Sequence, residues 1–326
     1  MNTYLTATIG ALSGRMDSPK PIFSHRMSVL GLATTFAAED ADLLDTLCAG
    51  YADWPAAPEA EKDALEIRFG FGADASGAGG GAATDVGING PRMTLRGAGR
   101  SAWADAETGR GEAWVARGLL DEPAVLGELV DTLVLFLATR TGATRTGRTP
   151  VHAAGVMVGG VALVLAGRSG AGKSTLALRA MQRGLPILSD DTVYIQLRPD
   201  FRVWGFRRPL HVFPDEAPRF TAGTRLRGGR LKAAVPLAPG LSGPPVAERA
   251  ALVVLARGEA VGLEPLEAAA ATAALSRLDA GFDLLVEASA EAIAALAACG
   301  AWRLTLTRDP EAALDLLLAR FGGGPE

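Results

Sequence analysis

Residues Val151 to Ile195 read VHAAGVMVGGVALVLAGRSGAGKSTLALRAMQRGLPILSDDTVYI, and the fold is decided in this stretch. Two apolar runs, Ala154 to Val158 and Val161 to Ala166, flank Gly159-Gly160. A Gly-Gly pair supplies the positive φ angles of a tight primed turn, so the spacing predicts a β-hairpin. Its second strand leads straight into Gly167-Arg168-Ser169-Gly170-Ala171-Gly172-Lys173-Ser174, a complete GxxxxGKS, followed by Thr175. The glycines of such a loop let the backbone curl until its N–H groups face an anion, and the start of the next helix adds a favourable partial charge. Lys173 would reach the β- and γ-phosphates of ATP or another nucleoside triphosphate, and the Ser174 hydroxyl would coordinate Mg²⁺. The alternative, a chance match in an unrelated loop, is disfavoured by the apolar strand before it and the helix pattern after it.

That helix is expected from Lys173 to Arg183, ended by Gly184, with a short strand from Pro186 to Leu188 delivering Ser189-Asp190-Asp191. The aspartates lie only 17 and 18 residues after Lys173. Such an interval holds one helix and one strand, so the pair should return beside the phosphate loop. A transporter-type ATPase needs an LSGGQ-like signature, and the nearest string, Leu241-Ser242-Gly243-Pro244-Pro245, breaks it.

The Val151 to Ile195 segment resembles the catalytic core of HPr serine kinase/phosphorylase and its relatives, whose fold is similar to that of phosphoenolpyruvate carboxykinase. The resemblance rests on the P-loop, both aspartates, the helix ending at Arg183-Gly184 and a histidine, His152, 21 residues before the P-loop lysine. It implies that Asp191 takes the proton from an acceptor hydroxyl, that Asp190 helps Ser174 hold Mg²⁺, and that His152 lines the site near the transferred phosphoryl. The chemistry agrees: a serine hydroxyl is a poor nucleophile, and a positioned base with charge-neutralised phosphates lowers the barrier to in-line attack. Plainer readings are a turn or helix cap for the aspartates and a hydrogen-bonded strand histidine for His152. Thr175 stands where HPr-specific enzymes carry an acidic residue, and Arg202 where a metal-serving glutamate falls. In both respects the chain looks more like divergent relatives that phosphorylate lasso-type ribosomal peptides or free serine, without phosphorylase activity.

Outward from this core, residues 202 to 232 carry eight basic side chains against Asp215 and Glu216, a local balance of 8 − 2 = +6. Arg207 and Arg208, then Lys232, are the candidates to face charge developing on the phosphoryl oxygens, although a solvated surface charge is the plainer reading of each taken singly. Further on, strands at Ala251 to Leu255 and Trp302 to Leu306 should alternate with helices at Glu267 to Leu278, Ala290 to Ala297 and Pro310 to Phe321. Before the core, Leu65 to Phe69 alternates like a strand, Gly70 to Gly90 reads as a glycine-rich loop or substrate flap, and a core helix should start at an Asp121 N-cap. Arg140 to Pro150 is polar and rich in Gly and Thr. The expected organisation is an N-terminal α+β domain over 1–140 that serves acceptor recognition, a linker over 141–150, and an α/β P-loop kinase domain with a mixed sheet over 151–326.

The chain has 326 residues, enough for about two domains. With 48% hydrophobic and 21% charged residues and a net charge of −4, wholesale disorder is excluded and nonspecific nucleic-acid binding by bulk charge is not expected. Its two cysteines, Cys48 and Cys299, lie far apart without a CxxC, as expected of reduced cytoplasmic thiols. No basic leader opens the chain, and the longest apolar helix candidate is interrupted by Glu128 and Asp131, so no membrane association is expected. These features together predict an ATP- and Mg²⁺-dependent kinase, acting as a homo-oligomer on a serine-type hydroxyl of a peptide or protein. The alternatives are a nucleotide-sensing binding module without transfer activity, or a kinase of free serine or HPr.

Overall fold

The structure is a computed structural model that describes residues 23–52, 54–58, 64–72, 84–140, 147–216, 223–227, 230–237, 245–279 and 290–323. In chain order the first elements are β1 (Phe23–Val29), β2 (Leu32–Ala38), α1 (Ala41–Cys48), β3 (Leu65–Phe71), β4 (Asp85–Asn89), β5 (Arg92–Gly97), β6 (Arg100–Asp105), β7 (Arg110–Val115) and α2 (Pro123–Arg140). These strands form one mixed seven-stranded sheet in the order β1-β2-β3-β7-β6-β5-β4. Asp40 caps α1 by accepting the Leu43 N–H at 3.0 Å. The core beneath the sheet joins Phe36, Ile67, Met93 and Tyr51 to the buried face of α2, including Leu126, Leu133 and Leu137.

Next come β8 (Arg148–Val151), β9 (Ala153–Val158), β10 (Val161–Ala166), α3 (Lys173–Gln182), β11 (Ile187–Ser189), β12 (Val193–Gln196), β13 (Arg202–Gly205), β14 (Leu210–Val212), β15 (Thr224–Arg227) and β16 (Arg230–Val235). The chain continues through β17 (Val246–Ala247), β18 (Ala250–Arg257), β19 (Gly262–Pro265), α4 (Ala268–Asp279), α5 (Ala290–Ala298), β20 (Ala301–Leu306) and α6 (Pro310–Phe321). The six-stranded sheet β11-β9-β10-β18-β20-β19 is mixed, with β10 parallel to β18 and antiparallel to β9. Every residue of β10 is buried. The period of two explains why: Leu163 and Leu165 enter the core under α3 and α6, while Ala162, Val164 and Ala166 enter the core under α4 and α5.

A further, four-stranded sheet, β17-β13-β12-β8, lies between the α4–α5 core and the core of the N-terminal sheet. Val193, Ile195 and Val203 face the α4–α5 side, whereas Tyr194 and Trp204 pack with the aromatic residues of the N-terminal sheet. This sheet is what joins the two halves of the chain.

The mixed α/β architecture, the Gly159-Gly160 hairpin and the elements of the C-terminal third agree with the sequence reading. Three expectations need correction. Asp121 closes a 3-10 turn, Arg117–Asp121, and Pro123 opens the helix, so Asp121 is not its N-cap. The glycine-rich stretch contains a strand, β4, because Val86 to Asn89 pair with Leu95 to Arg92 across a Gly90 turn at φ +58°; its residues 73–83 lie outside the described residues. The linker likewise ends in structure. Arg148 begins β8, is only 4% exposed and donates from Nε to the Leu30 carbonyl at 2.9 Å. Residues 141–146 lie outside the described residues. No helix among the described residues is long and apolar enough to cross a membrane. Both cysteines are free thiols, Cys48 buried and Cys299 exposed.

Candidate active site

The strand directions bring the sequence motifs together. Strand β9 is antiparallel to both β10 and β11, so β10 and β11 run the same way and release their loops at one edge of the sheet. The P-loop leaves β10 there, and Ser189-Asp190-Asp191 leaves β11 one strand beyond β9, on the order of 10 Å away at ordinary strand spacing. Ala153 pairs with Ala166, which puts His152 beside Gly167 at the same edge.

Gly172 stands at the start of α3 with φ +113°, a backbone conformation that a side chain would strain. A Cβ there would also lie 3.1 Å from Leu306 Cδ1. Lys173 is 7% exposed and folds back over the loop, donating from Nζ to the Gly167 carbonyl at 2.6 Å. The same Nζ lies 3.1 Å from His152 Nε2. His152 Nδ1 in turn lies 3.1 Å from the Asp191 carbonyl oxygen and 3.6 Å from its carboxylate Oδ1. One tautomer satisfies these contacts: Nδ1–H donates to Asp191, and the Nε2 lone pair accepts from the lysine. Burial, and next the Lys173 ammonium, hold the His152 imidazole below its ordinary value of 6.5 despite the opposing pull of Asp191 and Asp190.

This depression makes a pH prediction. Above about 6.5 the ring is neutral in both folded and unfolded chains and exacts no penalty. As the pH falls below that value, the unfolded chain gains a proton that the folded chain resists, so stability declines. Unfolding midpoints measured from pH 7.5 to 5.5 should therefore fall less steeply for His152→Asn than for the unmodified protein; parallel profiles would contradict the depressed value.

The two aspartates occupy contrasting environments. The Asp191 side chain is 46% exposed, while the Asp190 side chain is 5% exposed. Asp190 Oδ2 accepts the His211 backbone N–H at 2.7 Å, and His211 Nδ1 lies 3.7 Å from the same oxygen. Asp190 Oδ1 is buried without a hydrogen-bond partner among the described residues. A buried, unsatisfied carboxylate oxygen is costly, and a cation would satisfy it, so Asp190 fits a Mg²⁺ ligand. No group of three His, Cys, Asp or Glu side chains among the described residues could hold a metal. The arrangement suits Mg²⁺ bound by one or two protein groups together with nucleotide phosphates.

The remaining candidates are dispersed. Arg208 is committed elsewhere: it pairs through Nε and Nη2 with Asp131, donates from Nη1 to the Gly50 carbonyl at 3.0 Å, and lies over the rings of Tyr51 and Phe206. The structure makes it a tie between the chain's two halves, which corrects the reading of Arg208 as a phosphoryl-facing cation. Arg207, its neighbour, is half-buried. Lys232 sits on β16 with Nζ 5.9 Å from the Phe213 ring centroid. Arg202 pairs with Glu248 at 2.8 Å.

Two residues near the site carried no local signal in the sequence. His211 braces Asp190 as described. Glu216 accepts from the Thr175 hydroxyl at 2.8 and 3.0 Å, tying the chain after β14 to the first turn of α3. The +6 charge of its surroundings marked that segment as basic and hid its one inward carboxylate.

No protein-family model matches the chain. Curated HPr kinase/phosphorylases from Bordetella petrii, Bordetella avium and Bordetella pertussis are each 36% identical to it over 75 residues, 23% of this chain. The matched stretch likewise spans 23% of each relative's own length. The Hpr(Ser) kinase/phosphatase from Coxiella burnetii aligns at a TM-score of 0.28 and 14% identity, covering 52% of this chain and 93% of that one. Over that 75-residue stretch the chain is similar to curated HPr kinase/phosphorylases.

Proposed function

We propose that the chain is an ATP-dependent kinase that transfers the terminal phosphoryl group to a serine-type hydroxyl of a peptide or protein. The observation that supports this most is the continuous link from the P-loop lysine through His152 to Asp191, with Lys173 Nζ to His152 Nε2 at 3.1 Å and His152 Nδ1 to Asp191 Oδ1 at 3.6 Å. In the reaction, the exposed Asp191 carboxylate accepts the hydroxyl proton as the hydroxyl oxygen attacks the terminal phosphorus. The bond to the bridging oxygen breaks, and the nucleoside diphosphate leaves with those electrons. Lys173 and the P-loop N–H groups bind the phosphate oxygens and offset their charge. His152, kept neutral, orients both Lys173 and the Asp191 loop. Mg²⁺, held by Ser174 and Asp190, would supply further charge neutralisation on the phosphates. A precursor of the lasso-peptide type is one candidate acceptor; a kinase of HPr or of free serine is the alternative.

The second reading is a module that senses the nucleotide without transferring it. An exposed Asp191 argues against this, because a sensor needs no base. Incubation with γ-labelled ATP, Mg²⁺ and seryl peptides, HPr or free serine separates the two. Label on an acceptor serine supports the kinase. Label that stays on bound nucleotide with every acceptor overturns it.

A further inference from the structure

Strands β14, β15 and β16 form an antiparallel sheet in the order β14-β16-β15. Its register sorts residues onto two faces, because directly opposed residues share a side and neighbours along a strand alternate. One face carries Leu210, Val212 and Val235, which join the core beside Leu176 of α3. Leu231 belongs to that face as well but is 51% exposed, so the β15–β16 hairpin runs past the edge of the core. The other face carries His211 opposite Ala234, and further along it Lys232 opposite Arg225 and Arg230 opposite Arg227. All four cations of the hairpin therefore share the face of His211, whose backbone N–H holds Asp190 at 2.7 Å. At ordinary strand rise, Lys232 and Arg230 lie about 7 and about 13 Å beyond Ala234 along β16. The acidic residues of the segment, Asp215 and Glu216, precede the hairpin, and Glu216 is engaged by the Thr175 hydroxyl.

We propose that this basic face docks an acidic stretch of the acceptor polypeptide, so that the enzyme selects serines with carboxylates nearby. Charge complementarity close to the site supports this. A chain of net charge −4 gathers four cations on one hairpin face, and that face starts at the histidine holding Asp190, the neighbour of the base Asp191. Three of the four are arginines, whose planar fork suits carboxylates. An extended acceptor chain rises about 3.3 Å per residue, so carboxylates roughly two to six residues from the serine would come level with Lys232 and Arg230. This docking rests on the kinase reading and adds to it the class of acceptor.

Two seryl peptides of equal length test this with the full chain, Mg²⁺ and ATP, one carrying aspartates on both sides of the serine and the other lysines. The acidic peptide should show a kcat/KM higher by roughly tenfold or more, chiefly through KM, and the advantage should shrink as salt is raised. Combining Arg225→Glu, Arg227→Glu and Arg230→Glu should reverse the preference toward the lysine peptide, a gain that misfolding cannot produce. Should that variant lose all transfer, the parent's preference and its decline with salt decide alone. Equal kcat/KM for the two peptides, or an active variant with the parent's preference, would overturn the docking face and leave the kinase assignment intact. Transfer to neither peptide would also overturn it, and if HPr and free serine stay unlabelled too, the kinase assignment falls with it. Tighter binding of a duplex oligonucleotide than of the acidic peptide, read by fluorescence anisotropy, would assign the face to nucleic acid and contradict the proposal.

Discussion

Replacing Asp191 with asparagine is expected to slow phosphoryl transfer roughly 10²- to 10⁴-fold, the usual contribution of a positioned general base, while nucleotide affinity stays within a few fold. Asparagine keeps the shape of the side chain and leaves in place the backbone carbonyl that His152 contacts at 3.1 Å. What it removes is the proton acceptor, which matters only as the hydroxyl attacks. The side chain is 46% exposed, so the variant should fold normally. Single-turnover transfer rates, paired with calorimetric ATP titrations, check this. Equal losses in rate and affinity would mean that Asp191 binds ground state and transition state alike, and no loss would remove it from the chemistry.

The second large effect concerns stability. Asp131 accepts the Tyr51 hydroxyl at 2.8 Å and pairs with Arg208, whose side chain is 26% exposed against 25% for Asp131. Burial, and then Asp131, hold the Tyr51 phenol protonated well above its ordinary value. Asp131→Ala would leave a mostly buried guanidinium without its counter-charge. It is expected to destabilise the fold by roughly 3 kcal/mol, the low end for a broken buried pair, because both partners keep about a quarter of their surface in water. Urea unfolding should show a lower midpoint with an unchanged slope. The triple replacement Asp131→Leu, Arg208→Met and Tyr51→Phe should recover much of the loss, since it leaves neither an unpaired charge nor a buried hydroxyl without an acceptor. A single variant within about 0.5 kcal/mol of the parent would contradict the clamp. The site should also feel this change. Arg208 anchors the segment whose Phe206 carbonyl accepts the Ser189 hydroxyl at 3.3 Å and whose His211 N–H holds Asp190 at 2.7 Å.

These two residues mark the limits of what the sequence made legible. The P-loop, its hairpin and the strand before the aspartates are local patterns, where periodicity and glycine placement determine the backbone over a few residues. Their convergence could be expected from the short interval between Lys173 and Asp190. The role of Arg208 could not, because its partner lies 77 positions away on a helix that reads only as core packing. The same holds for Glu216, 41 positions from Thr175. Strand β4 was masked by a stretch whose glycines suggested a loop, and only pairing with β5 overrides that local preference. In the four-stranded sheet, apolar residues on both faces could have indicated burial under one core or two. The observed split, with Tyr194 in one core and Ile195 in another, depends on the whole chain.

A crystal structure of the protein with Mg²⁺ and a non-hydrolysable ATP analogue would show where the terminal phosphoryl lies relative to Asp191. The expected result places the terminal phosphorus between Lys173 and the Asp191 carboxylate, with room for one hydroxyl oxygen in hydrogen-bond reach, ~2.6–3.2 Å, of that carboxylate. A terminal phosphate lying instead against β18 and α4, with Asp191 directed away from it, would contradict the account.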